Sequence, residues 1–480
     1  MIIRRIVICS RPVSACLQNA RTFSNHKIAP RIAVVGSGPA GMFTCTSLLR
    51  KSPAHIDVFE YSPVPYGLVR YGVAPDHQEV KNCINGFDKL FVNHSDRIKL
   101  FCNVKVGQDV AFDELVSNYD AIVLAYGSYR QRKLQTPGDK STNVVSGSDF
   151  VAWYNGVPNS KAPLLDNSEA VIIGNGNVAL DCARIISLGV LGKLNETDVP
   201  LERLKLLENA AINRIKIVGR RGPLDVSFTI KELREQFRVE GWQSYIEAAA
   251  REELEPEKWP AGIERKHQRL FELLRKHVLG SGPTDDKQCE FLFRRVSKEI
   301  KADENGRVKE LIVENTRTKQ REAFPCGLLI YCLGYESMVL DGVPKNDKVT
   351  CILRKRVNMS CFEGTIAMSD YWRVSMPSAC STRVYATGWC AHGPQGVIVQ
   401  TQQQSAAVAE TISTDLEQIQ LQEQKPGVAD LLKSRSVRYI SWEKWKQIDE
   451  AEKERGKLQG KVREKFTAFD QFVSDKSPVN

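Results

Sequence analysis

Arg31-Ile-Ala-Val-Val-Gly36-Ser37-Gly38-Pro39-Ala40-Gly41 decides how this chain is read. An apolar run enters three glycines at GxGxxG spacing, and a second run, Ile56-Asp57-Val58-Phe59, ends on Glu60 nineteen residues after Gly41. The glycines suit a tight turn, a close approach of backbone to a pyrophosphate, and close packing of helix on strand. Unpaired N–H groups at the start of the following helix favour the anion. A lone GxGxxG says little, but here strand, helix and acid stand in order.

The same grammar recurs at Ala170-Val-Ile-Ile-Gly174-Asn175-Gly176-Asn177-Val178-Ala179, with a later run Ile215-Lys-Ile-Val218. That run ends not on an acid but on Gly219-Arg220-Arg221. A carboxylate at a strand tip accepts hydrogen bonds from a ribose diol, whereas paired guanidiniums match a 2′-phosphate. FAD at the first site and NADPH at the second satisfy both tips. Surface cations with no ligand are the plain alternative for Arg220 and Arg221, and their place at a strand tip after a GxGxxA turn argues against it.

Around the fingerprints the periodicity predicts strands at Ile32–Val35, Ile56–Phe59, Asn103–Val106 and Ala121–Leu124, and a helix over Met42–Arg50. Residues 63–77 are too rich in Pro and Gly for a helix and read as an ordered loop. Pro137-Gly138 marks a linker. In the second unit a helix is expected over Val178–Leu188, an insertion over 190–213, helices at Thr229–Phe237 and Arg265–Val278, and a strand at Leu328–Leu333. Residues 336–383 carry no motif, and Val384–Thr387 reads as a strand feeding Gly388. From about Gln420 the tail is rich in Lys and Glu, with Ser441-Trp-Glu-Lys-Trp445 as its one expected anchor.

The fold expected is α/β with two Rossmann-like dinucleotide-binding domains. The NADP domain (130–335) is inserted in a discontinuous FAD domain made of 28–129 and 336–480.

Composition narrows the class. The 480 residues are 42% apolar and 26% charged, as in a soluble globular protein of two or three domains. No run approaches the roughly 18 apolar residues of a membrane span, so any membrane association is expected to be peripheral. Residues 1–56 hold no acid, and Arg4, Arg5, Arg11 and Arg21 punctuate the start. This reads as an organelle transit peptide over residues 1–23, with a disordered tail or frayed first strand as the alternative. Its removal lowers the formal net charge from +10 to +6, a modest excess suited to an acidic partner. None of the thirteen cysteines forms a Cys-x-x-Cys pair. That argues against a disulfide scaffold, an iron–sulfur cluster in cis and a contiguous redox dithiol.

Taken together, the motifs resemble the mitochondrial adrenodoxin reductase family, the ferredoxin–NADP⁺ reductases of that organelle. The resemblance rests on the two fingerprints, Pro63-Val-Pro-Tyr-Gly-Leu68-Val-Arg-Tyr-Gly-Val-Ala-Pro75-Asp76-His77, Val218-Gly-Arg-Arg-Gly-Pro223, Phe228-Thr-Ile-Lys-Glu232-Leu-Arg234-Glu235, and Gly388-Trp389 followed by Gly393-Pro-Gln-Gly396-Val397-Ile398. It runs from about residue 30 to Arg463-Glu-Lys465; glutamate synthase small subunits share the first and last motifs more loosely.

It implies FAD contacts at Gly36, Gly38, Pro39, Ala40, Gly41, Glu60, Leu68, Val106, Trp389, Gly396, Val397 and Ile398. It implies NADPH contacts at Gly174, Asn175, Gly176, Asn177, Val178, Arg220, Arg221, Glu232 and Gly396. A hydrogen-bonded pair of His77 and Asp181 is implied near the flavin, and Arg234, Arg265 and Arg269 in a ferredoxin-docking surface. Read alone, Glu232 caps a helix, Trp389 packs a core, His77 is a satisfied loop histidine and the Arg265–Lys276 run is a solvated face. Two departures stand out: Cys390-Ala391-His392 replaces a basic pair, and 336–383 is longer than the family pattern.

The function implied is an NADPH:adrenodoxin-type oxidoreductase passing electrons singly to a [2Fe–2S] ferredoxin. It would be a monomer in the mitochondrial matrix or peripheral on the inner membrane, feeding cytochrome P450 steroid hydroxylation or iron–sulfur and haem synthesis. A flavin monooxygenase would instead consume oxygen with a small substrate, and a non-enzymatic nucleotide-binding scaffold would not be bleached by NADPH.

Overall fold

The structure is a computed structural model that describes residues 28–128, 130–279, 283–284, 286–346, 364–394 and 398–474. The expected transit peptide over residues 1–23 lies outside these.

Two parallel sheets organise the chain. In the first the strands run in the order Arg383–Ala386, Ala121–Leu124, Arg31–Val35, His55–Glu60, Ile98–Cys102. Its strands are nearly continuous apolar runs because both faces are covered. On one face the helix Pro39–Lys51 packs with Ile398–Glu417, and Ser405 Oγ donates to the Ala40 carbonyl at 3.1 Å. The second sheet runs Val144–Ser146, Leu328–Tyr331, Glu169–Ile173, Arg214–Val218, Gln288–Leu292, Gln243–Ile246. The helix Asn177–Val190 and its neighbours cover one face. An antiparallel sheet of Arg295–Ala302, Val308–Asn315 and Arg321–Pro325 covers the other through Leu311, Val313 and Phe324. Between the two units Arg130–Gln131 pairs antiparallel with Tyr335–Glu336. In each sheet the fingerprint strand is flanked on both sides, so its turn opens where the strand order reverses, the usual seat of a ligand.

Four local expectations are corrected. The third strand is Ile98–Cys102, not Asn103–Val106, because Asn103 turns the chain out of the sheet with φ 63°. The Pro/Gly stretch holds one helical turn, Leu68–Tyr71, between Gly67 and Gly72. The 190–213 insertion contains the helix Leu201–Glu208. The strand expected to reach Leu333 stops at Tyr331.

The tail differs most from expectation. Ser441 does cap the helix Trp442–Lys457 and Trp445 is buried, but the charged residues beyond it are anchors too. Glu452 accepts from Arg70 at 2.6 Å and from Arg463 at 3.1 Å, while Asp449 meets Arg463 at 2.8 Å. Asp198 binds Lys81 at 2.7 Å and Lys465 at 2.8 Å, and Glu464 accepts from the Leu201 amide at 2.9 Å. Burial alone would raise the Asp198 carboxyl, but the Lys465 and Lys81 ammonium groups hold it well below the usual range. Removing one partner from such a buried cluster costs about 3–5 kcal/mol. The tail thus ties the 70–81 loop of the first unit to the 198–201 turn of the second.

Candidate active site: two nucleotide cradles

The first cradle is shaped by what glycine lacks. A methyl group on Gly41 would fall 2.0 Å from the Gly36 carbonyl oxygen, and one on Gly36 would fall 2.6 Å from the Ala125 carbonyl. Gly36 and Gly41 therefore hold strand, turn and helix together. Gly38 faces open space, with nothing within 4 Å of a methyl there. The helix that follows has no side-chain cap, Pro39 in its first turn and no acid there. Its N–H groups are left for an anion.

Glu60 sits under this turn, 4% exposed. It accepts from Ser37 through the amide at 3.0 Å and the hydroxyl at 2.7 Å, and from the Ser62 amide at 3.0 Å. Burial pushes its carboxyl up, and these bonds pull it back toward the ionised form. Ser37 also receives the Tyr66 amide at 3.2 Å, which lays the loop carrying Leu68 beside Gly38. Leu68 is 42% exposed. From the opposite side the Gly388 turn closes on Ala40, presenting Trp389, whose ring lies 5.9 Å from Tyr335. Gly36, Gly38, Pro39, Ala40, Gly41, Glu60, Leu68 and Trp389 are thus one neighbourhood. Val106 is buried with Val35 and Phe59, and half-buried Ile398 begins its helix. Gly396 and Val397 lie outside the described residues.

The second cradle repeats the turn with different walls. A methyl on Gly174 would meet the Cys332 carbonyl at 2.5 Å, while Gly176 faces open space and caps Asn177–Val190 with no side-chain bond. The third fingerprint position is buried Ala179. Asn175 lies over Gly219, and both polar atoms of its amide are buried without a hydrogen-bond partner. Buried polar groups are rarely left so; a nucleotide is the kind of group that satisfies them. Arg220 and Arg221 are exposed at the tip of Arg214–Val218, and Arg221 donates to Ser227. Asn177 accepts the Thr229 amide at 2.8 Å, drawing the Ile230–Phe237 helix to the turn. Glu232 is the third residue of that helix and accepts from the hydroxyl of Thr229, the residue at its N-terminus, without a side-chain cap on the backbone. Val178 is half-buried in the helix-side core.

His77 and Asp181 are not directly bonded. His77 Nε2 meets Glu235 at 2.8 Å, and the partner of Asp181 is Arg184 at 2.7 Å. The reason is Arg184, buried between them, which also binds Asp76 at 2.6 Å and approaches His77 at 3.4 Å. Burial raises the Asp181 carboxyl although Arg184 opposes it. Asp76, Arg184 and Glu235 complete this cluster; Asp76 and Glu235 fall inside motifs already quoted, whereas Arg184 lies outside them.

Arg234 is half-buried on Ile230–Phe237, while Arg265 and Arg269 are exposed one turn apart on Arg265–Lys276, packed beside it. At the position of the expected basic pair, Cys390 is a buried filler bonded to the Leu124 and Thr387 carbonyls at 3.2 Å. His392 stacks on Tyr371 at 4.3 Å, and burial lowers its pKa. Burial therefore works against a positive charge at His392. Among the described residues no three His, Cys, Asp or Glu side chains are grouped to hold a metal ion, and no helix is long and apolar enough to cross a membrane.

A profile of the pyridine nucleotide-disulphide oxidoreductase family matches residues 30–254. The fold and its paired cradles define a pyridine-nucleotide-dependent flavin oxidoreductase. The chain is 38% identical over 485 residues to NADPH:adrenodoxin oxidoreductase of Bos taurus, covering 95% of this chain and 94% of that protein. The probable counterpart of Schizosaccharomyces pombe is 36% identical over 490 residues, covering 94% and 97%. The chain belongs to the NADPH:adrenodoxin oxidoreductase family. Its structure is also similar to FprA from Mycobacterium tuberculosis in complex with NADPH, at TM-score 0.81 and 29% identity over 93% of this chain and 99% of that one. Its cofactors are FAD and NADPH.

Proposed function

We propose that the enzyme draws electrons from NADPH through FAD and delivers them one at a time to an acidic [2Fe–2S] ferredoxin of the adrenodoxin type. The observation that supports this most is the opposite chemistry of the two strand tips: a buried carboxylate at Glu60 and exposed guanidiniums at Arg220 and Arg221.

In this reading Glu60 receives the ribose hydroxyls of FAD and the Gly38 turn its pyrophosphate. Trp389 and Leu68 flank the flavin, and the family resemblance adds Gly396, Val397 and Ile398 to its contacts. Asn175, Gly176 and Asn177 receive the pyrophosphate of NADPH, and Arg220 and Arg221 its 2′-phosphate. Bound FAD supplies the exchange between a hydride donor and one-electron acceptors. The protein's work is to hold both nucleotides and to turn away dinucleotides lacking the phosphate. Arg234, Arg265 and Arg269 steer the ferredoxin, a charge effect that speeds encounter and fades with salt. Relatives named mitochondrial and the acid-free, Arg-punctuated start support action inside the mitochondrion, with residues 1–23 as the cleaved signal. The ferredoxin would serve P450 hydroxylation or iron–sulfur and haem synthesis.

Anaerobic titration tests the reading. NADPH should bleach the yellow protein, NADH should do so far more weakly, and added ferredoxin should restore the colour as it is reduced. A colourless protein, equal response to NADH, or a bleached protein that ferredoxin leaves bleached would overturn it.

A further inference from the structure

The sequence holds no contiguous dithiol, but the fold makes one. Cys182 lies on Asn177–Val190 and is fully buried; Cys332, 150 residues later, follows Leu328–Tyr331 and is half-buried. Their meeting is dictated by local geometry. Val178 and Cys182 are four apart and share a face of the helix. A methyl on Gly147 would touch the Cys332 sulfur at 2.5 Å and the Val178 side chain at 3.4 Å. Cys332 packs against the same core cluster that contains Cys182, and after burial its thiol is the group that acts most strongly on that of Cys182. Burial, with Cys332 and Cys182 in the vicinity, pushes the Tyr335 hydroxyl up. Strand, helix and inter-unit ribbon therefore converge on one pair of sulfurs under the second cradle.

We infer that Cys182 and Cys332 are a redox-sensitive pair that a hydroperoxide converts reversibly to a disulfide. The two sulfurs have different parts. Burial, with the Cys332 thiol in its vicinity, pushes the Cys182 thiol well above the usual range, which protects it from direct attack by peroxide. Cys332 is the accessible one. Having released its proton to solvent, its thiolate attacks hydrogen peroxide: an S–O bond forms, the O–O bond breaks and hydroxide leaves, taking up that proton as the first water and giving a sulfenic acid. The Cys182 sulfur then attacks the Cys332 sulfur. The S–S bond forms, the S–O bond breaks, and the Cys182 proton departs with the second water. Two thiols lose two electrons and two protons, and one peroxide becomes two waters. Closure requires the sulfurs to contract to about 2.05 Å, which the strand end at Cys332 accommodates more easily than the buried helix. The bond would fasten the helix of the second cradle to the chain leading into the ribbon.

Mass spectrometry of the holoenzyme decides this. After brief treatment with hydrogen peroxide, blocking of remaining thiols and digestion without reductant, a peptide pair joined through Cys182 and Cys332 is expected. It should be lighter by two hydrogens than the sum of its parts and be split by dithiothreitol. In Cys332→Ser, Cys182 should stay reduced; in Cys182→Ser, Cys332 should stop at a sulfenic acid that dimedone traps. The inference is overturned if peroxide carries wild-type Cys332 to the sulfinic acid with no cross-link. It is equally overturned if either cysteine pairs preferentially with a third, or if Cys182 oxidises in Cys332→Ser as fast as in the wild type.

Discussion

The two cradles share a turn and differ in everything around it. In the first, the proposed discriminating group is Glu60, 4% exposed and already held by Ser37 and Ser62. In the second, the proposed discriminating groups are Arg220 and Arg221, exposed to solvent, with Arg221 donating to Ser227. A buried acceptor fixed in place suits a cofactor that stays, because its orienting cost is met during folding. Exposed cations suit a nucleotide that arrives, reacts and leaves, since they attract it from a distance and release it without unburying a charge. One motif thus serves a resident and a visitor, and the difference lies in the walls.

The third glycine breaks the comparison most sharply. Gly41→Val places atoms where even a methyl falls 2.0 Å from the Gly36 carbonyl, so strand and helix must part. The expected result is protein without bound flavin, read as loss of the visible absorbance. The equivalent second position is already Ala179, and Ala179→Gly should leave the yellow protein and cost about 1 kcal/mol from helix propensity. Equal losses in the two variants would erase the distinction between the cradles.

Next in size is the charge at the second tip. Arg220→Ala with Arg221→Ala removes two charge-assisted bonds, each worth about 1.5–3 kcal/mol when fully formed. Solvent discounts this, and a rise of roughly 100-fold in KM for NADPH is expected with little change in KM for NADH. Steady-state kinetics with both nucleotides reads it. A preference for NADPH that survives the double variant would mean the phosphate is recognised elsewhere. Smaller again is Glu60→Gln, which keeps one acceptor but turns an amide N–H₂ toward the donors of Ser37 or Ser62. An unmatched buried group costs about 1–3 kcal/mol, so flavin affinity should fall roughly 10–100-fold, measured by fluorescence as released FAD. NADPH specificity in the flavin-loaded fraction should not move.

What was legible in the sequence follows from locality. Each fingerprint, its helix and its strand tip lie within about fifty residues, and glycine spacing with terminal charge carries the chemistry directly. Contacts made across the fold were not legible. His77 meets Glu235 at a separation of 158 residues, and Arg184 lies between His77 and Asp181; neither appears in any local pattern. The tail misled for a physical reason: a run of Lys and Glu looks solvated, yet Asp449, Glu452, Lys461, Glu464 and Lys465 are buried because opposite charges pair. Likewise, scanning for Cys-x-x-Cys is blind to Cys182 and Cys332. The strand at Ile98–Cys102 was missed because exposed Lys99 interrupts its apolar run.

The visitor's side of the comparison extends to the proposed ferredoxin, which would also arrive and leave. Arg265 and Arg269 stand four apart on a helix whose inner face is buried through Leu270, Phe271 and Leu274, so reversing their charge leaves the packing intact. Neither makes an ion pair among the described residues, whereas their neighbours Lys266 and Arg275 are paired with Glu264 and Glu255. Arg265→Glu with Arg269→Glu should therefore raise KM for ferredoxin about tenfold at low ionic strength. The gap should narrow steadily toward 0.5 M salt, where the Debye length falls to a few ångströms. The rate of NADPH oxidation by a small uncharged acceptor should be unchanged, because both cradles are untouched. A penalty that persists at high salt would place these arginines in packing rather than steering, and an unchanged KM at low salt would move the docking face to another side of the molecule.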